Sequence, residues 1–445
     1  MHELLDLKSY SIQQEEMCRR NDYIDPAEYP NHNVKRGLRD VNGVGVVAGL
    51  TQISKIVSFD TSNGERIPCE GQLWYRGYNV EGLVEKYAHT VYGYEHLTYL
   101  LLFGTLPSEE QAEEFIQVLG NARALPERFA RDIIMKAASP DIMNSITRSI
   151  LSMASYDENV QSLAIDNVIR QCIQLIAVMP MLAIYGYHAS NHYNNDGSMY
   201  IHRPAADKST AENILMLLRP DKNYSEIEAK ALDTALMLHM EHGGGNNSSF
   251  TTRVVTSAGS DTYATMAAAM SSLKGPRHGG ANIKVMTMMD DIRANVKDWE
   301  DEEELSAYLE KILNKQVGDK SGLIYGMGHA VYSLSDPREK LFRAYVEQLS
   351  EEKGRQRDMK LYQQIEKLAP EVIARKCHIY KGVSPNVDFY SGFAYEMLGI
   401  PRELYTPIFA IARLAGWSAH RLEELVGQGK IIRPAYTSVM VPVEL

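Results

Sequence analysis

Residues 225–245 read SEIEAKALDTALMLHMEHGGG. Ser225-x-x-Glu228 is a capping-box pattern, in which the serine and glutamate side chains satisfy backbone N–H groups left free at a helix start. From Ile227, the apolar positions Ala231, Ala235 and Leu238 keep helical spacing, and Gly243-Gly244-Gly245 stops the helix. The same grammar recurs outward. Upstream, Leu106-Pro107 leads into Ser108-x-x-Gln111, a second capping box. Downstream, Met266–Met270 is a Met-Ala-Ala-Ala-Met segment of a helix that Gly275-Pro276 ends, and its alanines let another helix approach closely. The charged stretch Asp298–Glu304 marks a solvated helix start, and Glu351–Arg357 is similar. Strand signals are weak and early, at Ile53–Phe59 and Gln72–Tyr75, enough for a small sheet. The expected fold class is all-α, with a large helical lobe interrupted by a smaller one.

A chain of 445 residues is too long for one compact core, which also argues for two lobes. With 44% hydrophobic and 23% charged residues, the composition is that of an ordinary globular protein. The formal charge of −11 is spread along the chain, which argues against non-specific binding to nucleic acid or an acidic membrane. An anionic ligand would therefore need positive groups concentrated locally. Cys18, Cys69, Cys172 and Cys377 show no CxxC spacing and suit a reducing compartment. The longest apolar run, Leu175–Tyr187, is interrupted by Pro180 and is shorter than the ~18 residues of a membrane span. Glu3, Asp6, Glu15 and Glu16 near the start fit neither a signal peptide nor a transit peptide, so the expected location is cytoplasmic.

Three short segments break the helical pattern with Gly- or Pro-flanked polar residues: Gly275–Asn282 with His278, Gly326–Val331 with His329, and Ser384–Asp388 with Asp388. Glycine permits close backbone approach to a ligand and proline sets a turn, so these histidines and this aspartate are acid and base candidates. The plainer readings are structural: a turn histidine in each of the first two, and a helix N-cap at Asp388. Arg338 follows Ser335-Asp336-Pro337, a helix start, where a cation opposes the macrodipole at a cost of ~0.3–1 kcal/mol. Its plain alternative is a surface ion pair with Asp336 or Glu339. Arg413 stands in the apolar run Ile408–Ala415 and must be either paired internally or bound to a ligand. Arg433, in Ile431-Ile-Arg-Pro434, carries no signal of its own. His239 and His242 flank Glu241 but are three apart rather than four, so no metal site is expected.

Taken in order, these segments resemble the citrate synthase family. The resemblance runs through His242 before a Gly-rich turn, the Gly-Pro-x-His-Gly-Gly-Ala-Asn turn of His278, and the Gly-x-Gly-His-Ala-Val of His329. It continues through the Asp-Pro-Arg of Arg338, the Pro-Asn-Val-Asp of Asp388, Ala412-Arg413 and Arg433-Pro434. Gly37–Asp40, Leu73–Tyr78 and Leu100–Pro107 extend it over nearly the whole chain beyond about residue 37.

The resemblance implies a mostly helical homodimer, or higher homo-oligomer, with a large domain of residues 1–280 and 394–445 and a small domain of 281–393 that closes over the keto-acid. It implies condensation of acetyl-CoA with oxaloacetate, with Asp388 as base, His278 stabilising the enol and His329 acting on the keto-acid carbonyl. His242, Arg338, Arg413 and Arg433, the last from the partner subunit, would hold carboxylates. Leu323, Ile324, Tyr325, Gly326, Gly328 and Lys381 would contact CoA, a co-substrate; no cofactor is expected to be held permanently. The chain departs from the family pattern at Tyr332–Ser335, which lacks a basic residue for CoA phosphates, at Ile283, and at the extended Gly243–Gly245 run. The competing expectations are a 2-methylcitrate synthase using propionyl-CoA, a catalytically silent citrate- or CoA-binding homologue, and a metal-dependent hydrolase.

Overall fold

A computed structural model describes residues 6–40, 44–60, 67–328, 331–332, 334–377 and 383–440. It divides into two units, Met1–Gly49 with Arg433–Leu445, and Leu50–Ile432. The first unit holds α1 (Leu7–Asn21), capped by the Asp6 carboxylate, and the short α2 (Glu28–Asn31). No residue of α1 is buried.

The second unit opens with a three-stranded antiparallel sheet, β1 (Ser54–Asp60), β2 (Ile67–Tyr75) and β3 (Tyr78–Asn79), in that spatial order. Ser54 pairs with Tyr75 and Ile56 with Leu73. This is the small sheet that the β-branched and aromatic residues predict. Helices follow: α3 (Val80–Tyr87), α4 (Gly93–Phe103), α5 (Glu109–Asn121), α6 (Ile142–Met153), α7 (Ile165–Asn195), α8 (Thr210–Leu218) and α9 (Glu226–His239). Next come α10 (Asn247–Ser257), α11 (Thr262–Lys274), α12 (Ala281–Asn295), α13 (Glu302–Leu313) and α14 (Pro337–Glu352). The last three are α15 (Gln356–Cys377), α16 (Val387–Met397) and α17 (Tyr405–Val426).

Both capping boxes form as the sequence predicts, Ser108 with Gln111 on α5 and Ser225 with Glu228 on α9. The alanine-rich α11 packs between α10 and α6, the close approach its small side chains allow. Pro180 does not end a helix: it lies inside α7, with Val178, Met179, Met181 and Leu182 around it buried. Tertiary packing holds the helix across the hydrogen bond that proline cannot donate. As a result α7 is long and apolar enough to cross a membrane by length and composition, but 78% of its most apolar window is buried inside the protein, as in a core helix.

The core centres on α7 and α17, which pack on each other, with α4, α9, α10 and α11 around α17. Further on, α12 packs on α16, α13 on α15 and α14 on α16. Helix α14 also reaches α9, α3 and β2, and runs antiparallel to α9, with Glu352 and Lys353 at its C-terminal end on Ser225 and Glu228 and Arg338 at its start acting on His239.

Candidate active site

Two of the irregular segments are joined by their backbones. Gly328 N–H donates to Ser384 O at 2.7 Å, and Asn386 N–H donates to Gly326 O at 2.9 Å. The Asn386 amide also donates to Gly328 O at 2.8 Å. Gly326 has φ +80°, and a Cβ there would sit 3.0 Å from the Phe389 Cα, so the turn admits only glycine. This pairing fixes the start of α16. Asn386, not Asp388, is the N-cap: its Oδ1 accepts the Asp388 N–H at 3.0 Å. Asp388 therefore lies in the first helical turn with its carboxylate uncommitted to capping. Burial raises its pKa from 3.8 to about 6, with Arg338 and Arg413 pulling it down and Asp336 adding to the rise. The lowered value expected of a capping aspartate does not apply. His329, which follows this turn, lies outside the described residues, as do Ser333 and Lys381.

Arg338 sits where the sequence places it, one residue after Pro337 at the start of α14. The ion pair with Asp336 exists, but it is buried rather than on the surface: Arg338 is 4% exposed and Asp336 fully enclosed. The guanidinium grips the carboxylate through Nε at 3.0 Å and Nη2 at 2.7 Å. Asp336 also caps α14, accepting the Arg338 N–H, and accepts the Val387 N–H at 3.3 Å. One carboxylate thus ties together two helix N-termini and offsets the cation that opposes the dipole.

Arg413, buried in α17, donates from Nε to His239 O at 2.8 Å and lies over the Phe409 ring, 4.7 Å from its centroid. Among the described residues, no carboxylate lies within ion-pair distance and Nη1 has no hydrogen-bond partner. Burial pushes the guanidinium down to about 10 despite the charge of Glu241. An unmet buried donor costs ~1–3 kcal/mol, more when charged, and an anion placed against this group would remove that cost. The internal salt bridge weighed from sequence is absent among the described residues. The neighbouring His239 donates from Nδ1 to Ala235 O at 2.7 Å, leaving Nε2 unpartnered among those residues, and burial drives it to about 3.

His242 Nε2 is 3.2 Å from the Tyr332 hydroxyl, and the two rings meet edge-on. His278 occupies the turn between α11 and α12, with Nε2 3.0 Å from Ser248 Oγ, and Trp417 Nε1–H donates to the same oxygen at 3.2 Å. Burial first, and the Arg413 charge second, lower His278 to about 4, so its imidazole is neutral near pH 7. Arg413 thus acts electrostatically on His278, His239 and Asp388 alike, and Arg338 acts on the last two. Five residues singled out from sequence converge on one site, namely His242, His278, Arg338, Asp388 and Arg413. Arg433 belongs to the other unit and is exposed. Sequence reasoning missed Ser248, Trp417 and Tyr332, whose hydroxyl and indole groups carry no motif. Among the described residues no group of three or more His, Cys, Asp or Glu is arranged to hold a metal ion.

The loop before Gly326 flanks a groove of about 390 Å³ lined by Lys284, Thr287, Met288, Leu323 and Tyr325. Leu323 is exposed, Ile324 is buried, and Lys284 lies over the Tyr325 ring at 5.0 Å from its centroid.

The chain is similar in sequence and fold to known proteins. The family model described as "Citrate synthase, C-terminal domain" matches residues 42–435. A citrate synthase of Synechocystis is 33% identical, with 91% of this chain and 90% of that protein covered. A 2-methylcitrate synthase of Corynebacterium glutamicum is 31% identical, with coverages of 91% and 96%. Among solved structures, the citrate synthase of Thermoplasma acidophilum in complex with carboxymethyl coenzyme A and oxaloacetate superposes with a TM-score of 0.74 at 26% identity, covering 92% of this chain and 97% of that one. The citrate synthase of Pyrobaculum aerophilum gives a TM-score of 0.73 at 28% identity, with coverages of 92% and 93%. With its mostly helical fold and this convergence of histidine, arginine and aspartate, the chain belongs to the citrate synthase family.

Proposed function

We propose that this chain condenses acetyl-CoA with oxaloacetate and hydrolyses the resulting thioester, releasing citrate and CoA. The observation that carries the reading is a carboxyl raised to about 6 at Asp388 and a neutral His278, both acted on by one arginine, Arg413, that has an uncommitted N–H. A methyl group next to a thioester is a weak acid. A desolvated carboxylate is a stronger base than a hydrated one, and it remains ionised near pH 7. Asp388 takes the methyl proton, and the electron pair moves onto the thioester oxygen. His278 donates a hydrogen bond to that oxygen. A neutral imidazole suits the weakly acidic enol better than an imidazolium. Ser248 Oγ, 3.0 Å from Nε2, donates its proton to Asn246 Oδ1 at 2.9 Å and accepts the Trp417 Nε1–H, so these groups hold the imidazole ring in place. The enol carbon then attacks the keto carbon of oxaloacetate, His329 gives its proton to the forming alkoxide, and water cleaves the citryl thioester.

Arg338, Arg413, His242 and, from a partner subunit, Arg433 bind the carboxylates. Forked guanidinium groups match planar carboxylates and supply locally the positive charge that a chain of −11 lacks overall. The CoA arm follows Leu323–Gly328 and Lys381, with Lys284 available as a nearby cation in place of the one absent from Tyr332–Ser335. Residues 281–393 form a small domain that closes over the keto-acid; the packing of α12 and α14 on α16 and of α13 on α15 supports this. We further propose a homodimer and a cytoplasmic location. The similarity to a 2-methylcitrate synthase supports a second reading with propionyl-CoA, since one methylene discriminates by only ~1–3 kcal/mol. The test is release of free CoA thiol from acetyl-CoA and from propionyl-CoA, with and without oxaloacetate. Oxaloacetate-dependent release is expected, faster with acetyl-CoA; consumption of neither acyl-CoA would overturn the proposal.

A further inference from the structure

Behind the site lies a buried polar chain that the mechanism does not use. Glu241 and His420 are both fully enclosed. One oxygen of Glu241, Oε1, accepts from Ser54 Oγ at 2.8 Å, from the Gly243 N–H at 2.6 Å and from His420 Nε2 at 3.0 Å. The other ring nitrogen of His420 is 2.8 Å from Arg253 Nη2. A guanidinium only donates, so Nδ1 is the acceptor and the ring proton sits on Nε2, facing Glu241. Arg253 is itself held by Glu423 and by Glu424, the latter at 3.0 Å. The tautomer of a fully buried histidine is therefore set from the outer end of the chain.

At its inner end the chain meets two substrate-binding groups. Glu241 precedes His242, and its carboxylate holds the N–H of the residue that follows His242. Its own carbonyl accepts the Tyr75 hydroxyl at 3.0 Å, so the turn presenting His242 is clamped from the sheet as well. Glu241 also exerts the largest stabilising charge effect on Arg413, without an ion-pair contact among the described residues. A carboxylate in direct contact would occupy the guanidinium, whereas one set further back balances its charge and leaves Nη1 for a ligand. If Glu241 were neutral, Asp388 would be the carboxylate left to balance Arg413, and that is the proposed base.

We propose that Glu241, oriented by His420 and Arg253, is a positioning residue that holds the His242 turn and balances Arg413 from behind, keeping both ready for the keto-acid carboxylates. This rests on the condensation reading above. The test compares Glu241→Gln with His420→Gln and His420→Phe, each confirmed as folded by circular dichroism. Readouts are the KM for each substrate, kcat, and direct oxaloacetate binding by calorimetry. Glu241→Gln is expected to raise the oxaloacetate KM and Kd about tenfold or more, the scale of one hydrogen bond to a charged group, with the acyl-CoA KM within about threefold. His420→Phe, which removes the donor, is expected to behave as Glu241→Gln does. His420→Gln carries an N–H near the position of Nε2 and is expected to bring oxaloacetate affinity back to within about threefold of the parent. Should Glu241→Gln not fold, the two His420 variants decide. Unchanged oxaloacetate affinity in Glu241→Gln, equal loss for both substrates, or no difference between the two His420 variants overturns the proposal while parental turnover stands. A parent protein without oxaloacetate-dependent CoA release overturns the functional reading, and this one with it.

Discussion

Asp388→Asn separates the cost of the proposed base from its use. The folded-state carboxyl titrates at about 6 against an ordinary value of 3.8. At 1.36 kcal/mol per tenfold, that rise corresponds to ~3 kcal/mol of disfavoured ionisation in the folded protein. Because the folded pKa lies above the unfolded one, the folded state binds the proton more tightly. The cost is absent below about pH 4, where both states are protonated, and complete above about pH 6, where both are ionised. Asparagine carries no such cost. The variant is therefore expected to match the parent in stability near pH 4 and to exceed it by up to ~3 kcal/mol at pH 7, as thermal denaturation at the two pH values would read. Turnover of the variant should fall by orders of magnitude, since removal of the proton abstractor forfeits the ~10²–10⁴-fold of general base catalysis, while oxaloacetate binding is retained. In the parent, the ratio of base to acid at Asp388 is about 10:1 at pH 7 and about 1:10 at pH 5. Turnover should therefore drop tenfold per pH unit below about 6, with no second limb from His278, which is neutral down to about 4. An Asp388→Asn protein that is no more stable than the parent at pH 7, or that turns over at a comparable rate, would refute the reasoning.

Two further substitutions probe the neighbouring packing and charge. Arg413→Lys keeps the charge but loses the planar fork, so oxaloacetate KM is expected to rise about tenfold or more with acyl-CoA KM little changed, measured by steady-state kinetics. Gly416→Ala places a Cβ against the Met240 carbonyl and 2.5 Å from Glu241 Oε2, where α17 crosses the end of α9. Overpacking there is expected to cost ~1–3 kcal/mol in thermal stability and to weaken oxaloacetate binding through Glu241, whereas an unchanged melting midpoint would show that the crossing is loose.

Much of this was legible in the chain because it is local. Capping boxes at Ser108 and Ser225 and the Asp336-Pro337 helix start are contacts between residues two or three apart, so a sequence displays them directly. The rigid turns around His278 and Asp388 were visible for the same reason, as Gly and Pro interrupting helical periodicity. Pro180 shows where local reasoning stops. A proline within an apolar run argues for a break, but packing on all sides of α7 carries the helix through it. The N-cap of α16 fell to Asn386 rather than Asp388, and burial among distant segments raises the aspartate's pKa.

The sequence by itself determined the helical class, the early sheet, and the residue types of the site with their order, since periodicity, caps and turn chemistry act over a few residues. Only the tertiary structure decided what each group is worth. It buried the Arg338–Asp336 pair, left Arg413 Nη1 without a partner among the described residues, and placed Ser248, 30 positions along the chain from His278, on its imidazole, with Trp417 donating to the Ser248 hydroxyl. Charge, burial and hydrogen bonding between distant segments set these properties. Desolvation of a carboxyl or a guanidinium depends on everything packed around it, and no window along the chain contains that.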